Sequence, residues 1–262
     1  NDWNYGEEGN NLKLGWNIAS KSWPESFDTF SLKKSLPLIM KSGSILGKID
    51  QSIANLLGTN EHLLLISGTT DSNAAFIAAQ VKENEGLTIL GTTIVLKKVI
   101  KTTFSHPGIT MHRVNGDWIC GGSSNAGCGV LSKFFTNLEI EELSQQINPR
   151  TKTTLDYLPL NSKGERFPTD DPFLKPIIEP RPVSDALFLQ GLLEGLARIE
   201  LKGWLKLKSF TGYLPKKIIT IGGGSKNSQW KSIREKTLKI PIVNSNKSTS
   251  FGSALIALQA NS

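Results

Sequence analysis

The chain has 262 residues, 38% of them hydrophobic, enough to bury the core of one large domain or two small ones. Its net charge of +7 comes from scattered lysines (Lys33-Lys34, Lys97-Lys98, Lys216-Lys217), which argues against a nucleic-acid-binding run and leaves a modest bias toward anionic ligands such as phosphates. No apolar run approaches a membrane span, the opening Asn1-Asp2-Trp3-Asn4 is neither basic nor apolar as a secretory signal would be, and Cys120 and Cys128 have no His or Cys at metal-ligand spacing. The expectation is a cytoplasmic protein with two free thiols, no membrane contact and no metal site of its own.

Residues 1–45 are rich in Asn, Ser, Gly and Trp without a sustained period and read as loops with short elements. Ser44–Ile49 looks like a short strand. Asp50 is placed to cap a helix over Gln51–Leu57 that Gly58 ends. Leu63-Leu64-Leu65-Ile66-Ser67 then reads as a buried strand, Gly68-Thr69-Thr70 as a tight turn, and Asp71 opens a run of good helix formers through Ala79. That puts the Asp71 carboxylate at the positive end of a helix dipole, where it serves either as a plain N-cap or as a reactive group.

Leu87–Leu90 and Ile94–Val99 flank Gly91-Thr92-Thr93 as a hairpin, and Asn115-Gly116-Asp117 predicts a second one between Met111–Val114 and Trp118–Cys120. Gly121-Gly122-Ser123-Ser124-Asn125-Ala126-Gly127-Cys128-Gly129 reads as a glycine-rich turn before a helix over Val130–Phe135. It either admits a ligand close to the backbone or lets two elements pack closely. Residues 150–181, rich in proline and charge, are expected to form an ordered surface loop, with Glu165 and Arg166 as a supporting ion pair. A core helix follows, with Ala186, Leu189, Leu193, Leu196, Ala197 and Leu201 at three- and four-residue spacing, ending near Gly203 or a turn later. Lys217–Ile221 is a buried strand, Gly222-Gly223-Gly224 its turn, and Ser225–Trp230 the start of a helix to about Leu238. Ile240–Val243 and Gly252–Leu258 give a last strand and a closing helix.

Three of these turns share one logic, a glycine at the end of an apolar strand: Gly68-Thr69-Thr70-Asp71, Gly91-Thr92-Thr93 and Gly222-Gly223-Gly224. Backbone amides at such turns form anion-binding hollows, and a polyphosphate spans several at once. A dinucleotide fingerprint is disfavoured, because Asn227 stands where its third glycine is needed and no acidic residue follows at the required distance.

Taken in order, the motifs resemble those of the FGGY family of carbohydrate kinases. They are Gly-Thr-Thr-Asp-Ser-x-Ala-Ala at 68–75, Gly-Thr-Thr at 91–93, Gly-Gly-Ser-Ser-Asn-Ala-Gly at 121–127, Gly-Glu-Arg-x-Pro at 164–168, Gly-Gly-Gly-Ser-Lys-Asn at 222–227 and Phe-Gly-Ser-Ala at 251–254. Asn10–Trp16 and Ser22-Trp23-Pro24 further resemble the plant and cyanobacterial D-ribulose kinase branch, whose members are xylulose kinase-like. The resemblance implies an α/β, actin-like ATPase (ribonuclease H-like) lobe with a mixed central sheet and helices on both faces. It implies an interlobe, sugar-side segment over residues 1–58 and a C-terminal nucleotide-binding lobe over 59–262, the family's N-terminal lobe being absent from this sequence or supplied by a partner chain. An exposed apolar interlobe face is the corollary.

By the same carry-over, Asp71 is the general base and touches a small sugar, a ketopentose such as D-ribulose, that ATP with Mg2+ phosphorylates. Gly91 and Thr92 lie against the ATP phosphates. Gly222, Gly223 and Gly224 admit the adenosine, Asn227 hydrogen-bonds at its edge, and Gly121 and Gly122 line the same pocket or simply pack tightly. Two other readings stay open: a nucleotide-binding lobe that cannot catalyse alone, and an actin-like binding module switched by its nucleotide.

Overall fold

A computed structural model describes residues 4–29 and 31–260, so the opening Asn1-Asp2-Trp3 lies outside the described residues. Two compact units emerge. The first gathers the chain up to Gln80, His112–Asp117 and the chain from Lys247 onward; the second gathers Val81–Met111 and Trp118–Asn246.

In the first unit β1 (Tyr5–Glu7) pairs in parallel with β2 (Leu38–Met40), with short 3-10 turns between them. Next, β3 (Ile45–Lys48) leads into α1 (Gln51–Leu57), and β4 (Leu64–Ile66) returns antiparallel to β3. Asp50 caps α1 by accepting from the Ser52 amide at 2.8 Å, and Gly58 closes it at φ +62°. β4 is not the buried strand that its apolar run suggests. Leu63 and Leu65 are each 46% exposed, and only Leu64 and Ile66 on the other face are half-buried, β3 being the one strand paired with β4 among the described residues. α2 (Asp71–Ala79) is buried from Asn73 onward and packs on α7 (Thr249–Gln259). A side chain at Gly252 would overlap the Ala74 carbonyl, so these two helices touch backbone to backbone.

The second unit is built on β5 (Glu85–Leu90), β6 (Ile94–Ile100), β8 (Asp117–Ser123), β9 (Lys217–Ile221) and β10 (Ile242–Asn244). With β7 (Ile109–Val114) at the edge, the six-stranded order is β10-β9-β5-β6-β8-β7. The sheet is mixed. β10, β9 and β5 run parallel, whereas β6 is antiparallel to both β5 and β8. Asn115 and Gly116 both take positive φ, +49° and +87°, as a two-residue hairpin turn requires.

α5 (Asp185–Thr211) runs past the expected end, near Gly203 or a turn later, and stops at Gly212. Gly203 does not terminate it; the residue is buried mid-helix, where the Leu96 side chain would lie 2.6 Å from an added Cβ. Glu200 of α5 and Arg234 of α6 (Ser228–Leu238) form a fully buried pair, 2.6 Å and 2.8 Å, with Thr88 and Thr220 hydroxyls from the sheet completing it. Both Glu200 oxygens, and Nε and Nη2 of Arg234, have partners there, as burying an ion pair demands.

Two further expectations change. Gly121, Gly122 and Ser123 belong to β8 rather than to a turn, and the helix after them, α3 (Cys128–Leu131), is four residues long. The segment between α4 (Asn137–Gln145) and α5 lacks long elements as expected, but it is not merely superficial: Tyr157, Leu160, Glu165 and Phe167 are buried.

Candidate functional site

In the first unit, the chain leaving β4 turns at Gly68, where an added Cβ would meet nothing within 4 Å. Thr70 caps α2, its hydroxyl accepting from the Asn73 amide at 3.4 Å. The cap role that the sequence also allowed Asp71 therefore falls to its neighbour. Asp71 is the first helical residue and exposed. One carboxylate oxygen accepts from the Ser72 amide at 2.6 Å, and the other has no partner among the described residues. A carboxylate at this position feels the positive end of the helix dipole without being consumed as the cap.

The turn is held from below by residues that motif reading passes over. The buried Glu7 accepts from the Ser42 hydroxyl at 2.6 Å, from the Asn10 amide and side chain at 2.8 Å each, and more weakly from Thr69 Oγ1 at 3.4 Å. Buried Asn73 reaches Thr69 Oγ1 at 3.4 Å and lies 3.5 Å from His112 Nδ1. Burial and the neighbouring Glu7 charge push the Glu8 carboxyl up. No sequence signal marks Glu7, since its partnership with Thr69 spans 62 residues.

In the second unit a cavity of about 720 Å³ opens beside the ends of β5 and β9. Gly91, Thr92, Gly223, Gly224 and Asn227 all line it, so the structure brings together five of the six residues expected to hold a nucleotide. Gly222 stands next to it, at φ +95° with its Cβ position 2.5 Å from the Leu90 carbonyl, a place only glycine fills easily. Asp71 belongs to the first unit.

The cavity glycines differ in why they are glycine. A Cβ on Gly224 would overlap the Trp230 ring and lie 2.9 Å from Leu90 Cβ, so packing alone demands glycine there. On Gly223 it would meet nothing within 4 Å, and on Gly91 only the Thr93 carbonyl at an ordinary 3.7 Å. Neither has a left-handed φ. The chain itself has no use for these two glycines, and both face the cavity. Gly121 and Gly122 do not line it. Their Cβ positions would overlap the Leu96 carbonyl and the Phe167 ring, so close packing accounts for them.

Asn227 caps α6, its Oδ1 accepting from the Trp230 amide at 2.9 Å, and its Nδ2 donates to Ser144 Oγ of α4 at 2.7 Å. The amide orientation is thereby fixed, with one N–H and one lone pair left over. Buried Leu90, Leu131 and Trp230 supply apolar wall. Cys128 also lines the cavity, with burial pushing its thiol up, so it stands there as a neutral group. Glu165 and Arg166 do not form the expected ion pair. The carboxylate accepts from Ser124 Oγ at 2.6 Å and the Asn125 amide at 2.8 Å, while the guanidinium donates to the Ser123 carbonyl at 3.0 Å, both bracing the end of β8.

Among solved structures, a xylulose kinase from Brucella ovis superposes with a TM-score of 0.84 at 20% identity, over 98% of this chain and 56% of that one. Plasmodium falciparum glycerol kinase with ADP gives 0.82 at 20% identity, over 98% and 55%. The chain has the actin-like α/β fold of carbohydrate kinases. In sequence it is similar to a curated xylulose kinase of Staphylococcus epidermidis, 25% identical over 263 aligned positions that cover 93% of this chain. No protein-family model matches it. The chain spans about half the length of the curated relatives it matches, 52% of the Staphylococcus protein. No helix among the described residues is long and apolar enough to cross a membrane.

Proposed function

We propose that this chain is the nucleotide-binding lobe of an ATP-dependent carbohydrate kinase. The observation that carries the reading is the pair Gly91 and Gly223, two strand-end glycines in one cavity wall that the fold itself does not require. Backbone that is bare toward a cavity lets a polyphosphate or a ribose come into contact with main-chain groups. In this reading Gly91 and Thr92 lie against the phosphates, Gly222, Gly223 and Gly224 admit the adenosine, and Asn227 offers its remaining N–H or lone pair at the edge. The second unit thus serves the nucleotide, within the expected lobe over residues 59–262, and residues 1–58 serve the sugar side.

Asp71 is the proposed general base. Its free oxygen takes the proton of a sugar hydroxyl as that oxygen attacks the γ-phosphorus of ATP and ADP departs with the bridging oxygen; positioning and charge stabilisation supply most of the acceleration. Mg2+ would accompany the nucleotide phosphates. Among the described residues no group of three or more His, Cys, Asp or Glu could hold a metal ion, so no step is assigned to metal ligands of this chain.

The proposed acceptor is a small sugar in the cytoplasm, a ketopentose such as D-ribulose. Turnover is proposed to need a second lobe, from sequence beyond these residues or from a partner chain. Calorimetric titration with ATP and Mg2+, beside a coupled ADP-release assay with D-ribulose, D-xylulose and glycerol, tests this. Binding without turnover supports the lobe reading, and turnover lost in Asp71→Asn with nucleotide binding retained supports the base. Absence of any nucleotide binding overturns the proposal.

A further inference from the structure

The cavity has a wall that the motifs do not mention. α4 turns Asn137, Ile140, Glu141, Ser144 and Gln145 toward it, the i, i+3, i+4, i+7, i+8 set of one helix face, while Leu138 on another face is 65% exposed. Ile140 and Leu143 pack α4 against the core, while the helix presents the polar Asn137, Glu141, Ser144 and Gln145 to the concave site. The wall is also fixed in place. Ser144 accepts from Asn227 at 2.7 Å and donates to the Ile140 carbonyl at 2.6 Å, and Thr136 and Glu139 close a capping box at the other end.

The electrostatics of this wall orient a ligand. Glu141 is an anion with no hydrogen bond or ion pair inside the described chain, and the last turn of α4 carries the negative end of its helix dipole. Both repel a polyphosphate from the α4 side of the cavity, while Lys226 lines the triple-glycine side, so the α4 side is the one suited to the base. An ionised carboxylate only accepts hydrogen bonds, so the base edge that satisfies it is one with an N–H donor.

We propose that the C-terminal half of α4 reads the nucleobase and that Glu141 selects a base bearing an exocyclic amine, with Ser144 a positioning residue that aims the Asn227 amide. This rests on the nucleotide reading above and adds to it a specificity element.

The test compares ADP with purine riboside 5′-diphosphate, which differs in lacking the amine, by calorimetry on the full chain and on Glu141→Ala. A charge-assisted hydrogen bond at an open site should make ADP about tenfold tighter in the unmodified chain. In Glu141→Ala the two ligands should bind alike, with the unfolding temperature unchanged. Equal binding of the two ligands by the unmodified chain, or a tenfold preference that survives in Glu141→Ala, overturns the role of Glu141 and leaves the nucleotide cavity standing. Failure of the unmodified chain to bind either ligand overturns the nucleotide reading itself.

Discussion

Gly121-Gly122 and Gly222-Gly223-Gly224 look alike as strings, each following an apolar strand, yet the fold uses them in opposite ways. The first pair lies inside β8, where added side chains would run into the Leu96 carbonyl and the Phe167 ring, and neither residue touches the cavity. In the second group Gly222 and Gly224 are demanded by the Leu90 backbone and the Trp230 ring, whereas a Cβ on Gly223 would meet nothing within 4 Å among the described residues. A glycine required by packing concerns stability, and one facing open space concerns whatever fills that space.

The largest effect is expected at the anchor of the helix that follows the triple glycine. Arg234→Ala leaves Glu200 buried without its partner and should cost ~3–5 kcal/mol, read as a fall in denaturant midpoint. If stability holds, α6 is not fixed by that pair. Next come Gly122→Ala and Gly224→Ala, each overpacking an aromatic ring by one methyl group at ~1–3 kcal/mol; thermal unfolding should show both. Gly223→Ala should leave the unfolding temperature unchanged while weakening ADP binding about tenfold, equivalent to ~1.4 kcal/mol. Lost stability without lost affinity would place Gly223 with the packing glycines instead.

The smallest effect is a pH dependence in the strands around Gly121, where Lys98 and Cys120 are direct cross-strand partners. Desolvation lowers the Lys98 ammonium to about 8 and raises the Cys120 thiol to about 12. Between pH 8 and about 10.5 the unfolded chain holds more protons on Lys98 than the folded one, so stability rises with pH there. Above about pH 9 the unfolded chain releases the Cys120 proton first, and that contribution falls. Unfolding midpoints should therefore climb from pH 8 to 9 and flatten beyond, and Lys98→Met should remove the climb.

Much of the fold was legible because its signals are local. Asp50 with Gly58 bounded α1 to the residue, Asn115-Gly116 marked a hairpin, and Lys217–Ile221 was apolar enough to read as a buried strand. Misreadings arose where a local signal met a non-local fact. The aliphatic Leu63–Ile66 looked buried but, among the described residues, pairs with one strand and leaves Leu63 and Leu65 exposed, and Gly203 looked like a helix stop but makes room for Leu96 and Phe167.

Residue order put glycines at the strand ends and Asp71 at a helix start, and the resemblance to the FGGY kinases singled out Gly91, Thr92, the triple glycine and Asn227 as ligand-facing candidates. Tertiary structure alone decided which glycines face open space, that Thr70 rather than Asp71 is the cap, that Glu7 lies beneath the Thr69 turn, and that α4 walls the cavity. The physical reason is range. Caps and turns are set by dihedrals and hydrogen bonds within four residues, whereas empty space and buried partnerships exist only once distant segments have packed.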